Sequence, residues 1–315
     1  LNATFFAFKK RERGGVLTGA SIAFAVLAIV LYAALLGFIW FALGQNPLEM
    51  SQMAAQAQAD PEAIQQMMSP GNIAIMVLVY LIFTFAICVL FAAYEAACLR
   101  WMIRGETKGF FGLALDDDTW RVYGIYWVWF VGFIIGAIAF LIIMGILGAT
   151  IAATAGADSP VMLILPLLFF IVPIYLCTRL APAAATAIAE RRFAFFDAWS
   201  TSSDRFWALF GAFFLLWLIY MLLVCGITVA WLSWAVGPRL AEIFAGGSDP
   251  TAASIAINQA TMDAMSAPGG MLIYAGVSMA TWIIAIMFYI ALFGVNARAA
   301  VAALEEGKIT PEAAS

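Results

Sequence analysis

The chain has 315 residues, 65% of them hydrophobic and 11% charged, with a formal net charge of −4 and no histidine. A soluble domain is nearer half apolar and about a quarter charged, and 15 basic plus 19 acidic side chains are too few to coat a soluble surface of this size. Those numbers exclude a soluble enzyme and a disordered chain. The acidic balance argues against nucleic acid as a partner, and the absent histidine removes the usual general base and the commonest metal ligand.

Lys9, Lys10, Arg11 and Arg13 precede an apolar run from Val16 to Leu43. That run is too long for the h-region of a signal peptide, about 7–15 residues, and reads as a retained membrane helix. Further runs cover Ile73–Trp101, Val122–Ala153, Val161–Ala189, Phe206–Val236 and Met271–Leu304. Each exceeds the roughly 20 residues needed to cross a hydrocarbon core, which implies tilt or projection beyond it. They are apolar on all sides, and lipid leaves no solvent for an open sheet edge, so helices are expected rather than barrel strands. The fold expected is an all-α, polytopic membrane protein with six transmembrane helices in a single membrane domain over 1–315.

Basic residues set the orientation. With the N-terminus in the cytoplasm, Lys9, Lys10, Arg11, Arg13, Arg100, Arg104, Lys108, Arg121, Arg191, Arg192, Arg205, Arg298 and Lys308 all fall at cytoplasmic ends. Arg239 alone falls in an outer loop, and Arg179 lies within a span. The positive-inside rule therefore places both termini in the cytoplasm. In the first outer loop Asp60-Pro61-Glu62 predicts a short helix from Pro61 to about Met68. In the third, Asp249-Pro250 predicts one to about Ser266, stopped by Pro268-Gly269-Gly270. Asp158-Ser159-Pro160 restarts the chain in the second.

Aromatic segments flanked by charge recur before the first, third and fifth spans: FFAFKKRERGG with Phe5, Phe6 and Phe8; FFGLALDDDTW with Phe110 and Phe111; and FFDAWSTSSDRFW with Phe195, Phe196 and Trp199. The second and third end in a tryptophan with a glycine four residues on, Trp120 with Gly124 and Trp207 with Gly211. They read as elbow helices lying in the membrane interface with the apolar face down. The chain then parses into three pseudo-repeats of elbow helix plus helical hairpin, 1–104, 105–190 and 191–315.

Three polar residues inside the spans hold nearly the same place in each repeat: Glu95, Arg179 and Asn296. A lone ion at that depth costs about 2.5–3.5 kcal/mol or more, so a Glu95–Arg179 pair with Asn296 nearby is expected. Such a cluster reads either as a ring lining a cavity, as a lipid-headgroup site, or as a structural pair. Pro166, Pro173 and Pro182 in the fourth span each free a carbonyl four residues back, and Tyr175 and Thr178 share that stretch with Arg179. Gly132-x-x-x-Gly136 and Gly276-x-x-x-Ala280 suit close helix contact.

Other constellations are set aside. Asp116-Asp117-Asp118 precedes Thr119-Trp120 and reads as a helix cap rather than a metal site. Met50, Met53, Met67, Met68, Met262 and Met265 read as an apolar face rather than a soft copper site. Cys88, Cys98, Cys177 and Cys225 sit in apolar runs and read as small buried hydrophobes. Ser200–Ser203 have no base within reach, and no nucleotide or nucleophile-elbow motif is present.

The stretch TRLAPAAATAIAERRFAFFDAWSTSSDRFWALFG (178–211), through Arg179, Pro182, Glu190, Phe195, Ala198, Trp199 and Trp207, resembles the membrane domain attached to some bacterial glycerophosphodiester phosphodiesterases and its stand-alone six-helix relatives. In the two-domain members the activity belongs to a soluble barrel, which these 315 residues do not contain. The resemblance therefore implies a membrane domain without the enzyme, and hints at lipid-related work. The function expected is a non-enzymatic accessory or scaffold protein, needing no cofactor, whose partners are membrane lipids and a second copy or another membrane protein. The alternative is a transporter or channel with its polar site at Glu95, Arg179, Asn296, Thr178 and Tyr175.

Overall fold

The computed structural model describes Ala7 and residues 15–43, 70–156, 161–245 and 250–311. The first elbow apart from Ala7, the predicted Pro61–Met68 helix, Met50, Met53, Met67 and Met68, and Asp158–Pro160 lie outside the described residues. All regular structure among those described is helical: α1 (Gly15–Leu43), α2 (Pro70–Arg104), α3 (Asp117–Ala155), α4 (Val161–Leu180), α5 (Ala183–Glu190), α6 (Ala198–Thr201), α7 (Phe206–Ala235), α8 (Leu240–Ala245), α9 (Pro250–Ser266) and α10 (Gly270–Glu305). Six stretches are long and apolar enough to cross a membrane: five are α1, α2, α3, α7 and α10, and the sixth joins α4 to α5. At about 1.5 Å per residue, the 35 residues of α2 run about 52 Å, well beyond a hydrocarbon core of about 30 Å.

Local chemistry explains the ends. Asp116 caps α3: its carboxylate accepts from the Thr119 backbone N–H at 3.3 Å, and Asp117 and Asp118 put negative charge on the first turn. Pro70 opens α2, where its missing N–H costs nothing. The fourth predicted span is broken. Pro182 cannot donate back to Thr178, so α4 stops at Leu180 and α5 restarts one turn later, with Thr186 donating to the Pro182 carbonyl from its backbone (2.8 Å) and its hydroxyl (2.9 Å). All eight residues of α5 are buried; its alanines let neighbouring backbones approach closely.

The described residues fall into two units. The first comprises Leu1–Leu27, Ile87–Phe213 and Ile290–Ser315. Its core is rich in alanine: Ala92, Ala93, Ala96 and Ala97 of α2, all of α5, and Ala297, Ala299, Ala300 and Ala303 of α10. α3 packs on α4 and α5. Two glycines of this unit leave room for aromatic rings: a Cβ on Gly19 would stand 3.3 Å from the Phe111 ring, and one on Gly124 would stand 3.2 Å from the Phe193 ring. A Cβ on Gly294 would stand 2.9 Å from Cβ of Ala7.

The second unit comprises Ala28–Ala86 and Phe214–Tyr289. Trp231, Ala235 and Val236 of α7 and its end pack on Ala260 of α9, joined by Ile257, Ala264, Met265 and Val277. Arg239 donates to Asp263 at 2.5 Å. The α9 helix occupies the span expected for it. The glycine of Gly276-x-x-x-Ala280 has nothing within 4 Å of where a Cβ would stand, and both residues line an apolar cleft of about 450 Å³ with Trp231 and Trp234. Gly132 and Gly136 likewise face open space.

Two further expectations change. The segment FFGLALDDDTW (110–120) does not form an elbow helix: it makes a tight turn at Phe110–Leu113 and runs on without helix until α3 begins at Asp117. Phe110 and Leu113 exchange two backbone hydrogen bonds (2.9 and 3.0 Å), and Gly109, Phe111 and Gly112 take positive φ, which a helix cannot accommodate. Cys98 is buried, but Cys177 and Cys225 are exposed. An apolar run in a membrane helix does not distinguish a core face from a lipid face.

Candidate functional site

Glu95 of α2 is buried and accepts a hydrogen bond from the Tyr126 hydroxyl of α3 at 2.5 Å. Beside it on α2, the Tyr94 hydroxyl shares a hydrogen bond with Ser21 of α1 (2.8 Å), and its ring stacks on Phe24 at 4.6 Å. Phe91 and Phe293 close on Tyr94 edge to face, at 6.4 and 6.0 Å. Asn296 of α10 is buried, and its Oδ1 has no hydrogen-bond partner among the described residues.

The expected Glu95–Arg179 pair is not formed. Tyr126, hidden in an aromatic run, supplies the donor for the carboxyl, and Arg179 turns to Tyr175 and to the segment around Trp199 and Ser202. From the last turn of α4 its Nη1 donates to the Ser202 carbonyl at 2.9 Å, and its Nε faces the Tyr175 hydroxyl at 3.3 Å. The guanidinium lies 5.2 Å from the Trp199 ring centroid and 5.6 Å from that of Tyr175, both within cation–π range. Tyr175 in turn meets Trp199 edge to face at 5.9 Å and Phe206 at 5.1 Å. Tyr175, Arg179 and Trp199 thus come together, while Thr178 is spent on the Ile174 carbonyl (2.8 Å).

The elbow aromatics divide. Phe110, Phe111, Phe196 and Trp199 are exposed, as is Trp207 at 78%. Phe195, expected at the interface, is instead buried against Trp129, ring centroids 5.7 Å apart.

The most heavily built polar cluster is one that sequence reasoning assigned only to topology and capping. Arg100 of α2 is fully buried; it donates to Asp116, to the Gly112 carbonyl (3.2 Å) and to Asp118 (3.4 Å). Asp118 also takes Arg104 and, at 2.8 Å, Arg121. Glu106 bridges Arg104 (3.3 Å) and Arg191 (3.1 Å), and an open cleft of about 320 Å³ lies among these side chains with Lys108 and Asp117. The signal was present: Arg100 and Arg104 stand one turn apart on one helix face, with alternating acids at 116 and 118 after the turn.

Near the C-terminus Glu306 pairs with Arg205 and with Lys308 (3.1 Å), and Lys308 reaches Asp204 at 3.2 Å. Hydrogen bonds from Lys308 and Arg205 hold the Glu306 carboxyl below the usual range, and those to Glu306 and Asp204 hold the Lys308 ammonium above it.

These six apolar spans, with large aliphatic and aromatic side chains exposed along them, define a multi-pass α-helical membrane protein. Comparisons with known protein families, with curated proteins and with solved structures return no match.

Proposed function

We propose that the chain is a non-enzymatic accessory or scaffold protein of the bacterial inner membrane that works against membrane lipids, with both termini in the cytoplasm. The observation that carries the reading is the outward display of Phe110, Phe111, Phe196 and Trp207 on the two described elbows, directly beside ion-paired arginines and acids. An apolar tip beneath a charged rim is the chemistry of a lipid interface. The resemblance of residues 178–211 to a phosphodiesterase-associated membrane domain supports the same direction. The threefold repeat is part of the proposal. Its support is that Gly19 and Gly124, at matching places in the first two repeats, each receive a phenylalanine from the start of the next repeat, Phe111 and Phe193.

The transporter or channel alternative draws on Asn296, whose buried Oδ1 lacks a described partner, and on Glu95, which faces no described cation. Purification in native lipid, followed by cryo-EM and mass spectrometry of co-purifying molecules, separates the two. Ordered lipid along both elbows is the expected result. A solvated path across both leaflets reaching Glu95, Arg179 and Asn296 would replace the scaffold reading with the alternative.

A further inference from the structure

Among the described arginines, Arg100, Arg104, Arg121, Arg191, Arg192, Arg205, Arg239 and Arg298 each have an acidic partner. Arg179 has none among the described residues. Its surroundings orient the guanidinium without neutralising it. The Trp199 and Tyr175 rings hold its plane, and the Ser202 carbonyl fixes one edge. Of the five N–H groups of a guanidinium, Nε–H and one on Nη1 are engaged, which leaves the other Nη1 hydrogen and both on Nη2. Arg179 is only half-buried, so this edge of the guanidinium is not sealed in the protein.

The position suits a ligand with one charged and one apolar end. On the α4 side, Phe170, Ile171, Val172, Ile174 and Leu176 are exposed and apolar. On the elbow side lie Phe196 and Trp207, also exposed. A fixed, unneutralised fork at the end of an apolar helix face matches the planar, bidentate recognition of a phosphate oxygen pair. We propose that Arg179, walled by Tyr175 and Trp199, binds the phosphodiester of a phospholipid headgroup whose acyl chains lie along the exposed face of α4. This rests on the reading of the elbows as interfacial, and names the residue at which lipid is held in place.

Free phosphate offers the same oxygens, so the test has an arm for each source. Native mass spectrometry of the full chain in detergent, titrated with phosphatidylglycerol, measures lipid binding with and without 50 mM inorganic phosphate. The wild type is expected to hold one lipid more tightly than the rest, unmoved by phosphate. R179Q loses that lipid about tenfold in affinity, and R179K, which keeps the charge but not the fork, loses it about threefold. W199L weakens it by relaxing the guanidinium plane. R298Q, whose arginine lies elsewhere and is already paired, leaves it unchanged. If R179Q does not fold, R179K decides the matter, because an ammonium keeps the charge at the site.

Equal affinity in wild type and R179K, or displacement of the lipid by phosphate, overturns the proposal. The parent reading fails separately. In the cryo-EM maps, elbows bare of lipid in the wild type would remove it. Lipid along the elbows at equal occupancy in wild type and R179Q would remove only the Arg179 site.

Discussion

At the scale of single residues, the buried carboxylates and arginines differ in what their loss should cost. Asp118 is shared by Arg100, Arg104 and Arg121, of which the first is fully buried. D118A strips a common partner from three cations and should destabilise by about 3–5 kcal/mol, the cost of leaving buried charge uncompensated. Asp117, one residue away, is exposed and has no ion pair among the described residues, so D117A should cost only the first-turn dipole effect, about 0.3–1 kcal/mol. Thermal denaturation of the two variants in one detergent checks the contrast. Glu95 makes the opposite case. Because its partner is the Tyr126 hydroxyl, E95Q retains an acceptor and should fold normally, while E95K should not be rescued by R179E. Rescue measured as recovered yield of folded protein would restore the ion pair that the sequence suggests. The reason for the misreading is physical. Two opposite charges in apolar spans invite pairing, but the sequence does not reveal the azimuth of either helix, nor that a tyrosine in an aromatic run points inward.

At the scale of elements, the long spans were legible because apolar length in lipid leaves helix as the only satisfied backbone. The α9 helix was legible from its opening proline and the Pro268-Gly269-Gly270 stop. What escaped was geometry decided by contacts. From sequence alone Pro182 frees a carbonyl inside one continuous helix; in the structure it divides α4 from α5. The aromatic segment 110–120 suggests an interfacial helix, but Gly109 and Gly112 close a turn at its start. Gly109 takes φ +72°, and a Cβ there would run into the Leu113 carbonyl. G109A should therefore open this turn and lower the melting temperature sharply. G211A is the comparison: Gly211 is helical in α7 and a Cβ there meets open space, so alanine should be neutral or stabilising by up to about 1 kcal/mol. G124A falls between them, since the Phe193 ring at 3.2 Å must give way slightly. A melting order of G211A above G124A above G109A is expected. Any other order would contradict the elbow packing described for Gly109 and Phe193.

At the scale of the whole molecule, pH and orientation supply the remaining tests. The segment after α10 is held by Glu306 to Arg205 and Lys308, by Lys308 to Asp204, and by the buried Ile309. Glu306 titrates below its ordinary value, so its contribution is full above about pH 4.3 and fades as the pH falls through the lowered value. Lys308 titrates above its ordinary value, so its contribution is full below about pH 10.4 and fades as the pH rises through the raised one. Hydrogen-exchange protection over residues 305–311, corrected for the intrinsic pH dependence of amide exchange, should be greatest between those limits, and weaker in high salt because these groups are exposed. Unchanged protection from below the lower limit to above the upper one would show that Ile309 alone holds the segment.

Orientation follows from where basic residues gather rather than from net charge. Many of those at the elbow ends are paired with acids: Arg100, Arg104 and Arg121 with Asp118, and Arg205 with Glu306. A net-charge argument would find little bias there. Insertion responds to lysine and arginine close to the span ends, to which aspartate and glutamate contribute little, and it is settled before the folded ion pairs exist. The elbow ends should therefore stay in the cytoplasm despite their acids. Alkaline phosphatase, active only outside the cytoplasm, should be inactive when fused after Ser315 and active when inserted at residues 246–249. The reverse pattern would invert the molecule, moving the elbows and Arg179 to the outer leaflet. Neutralising Asp116–Asp118 tests the same logic without a fusion partner: it should damage folding while leaving orientation unchanged.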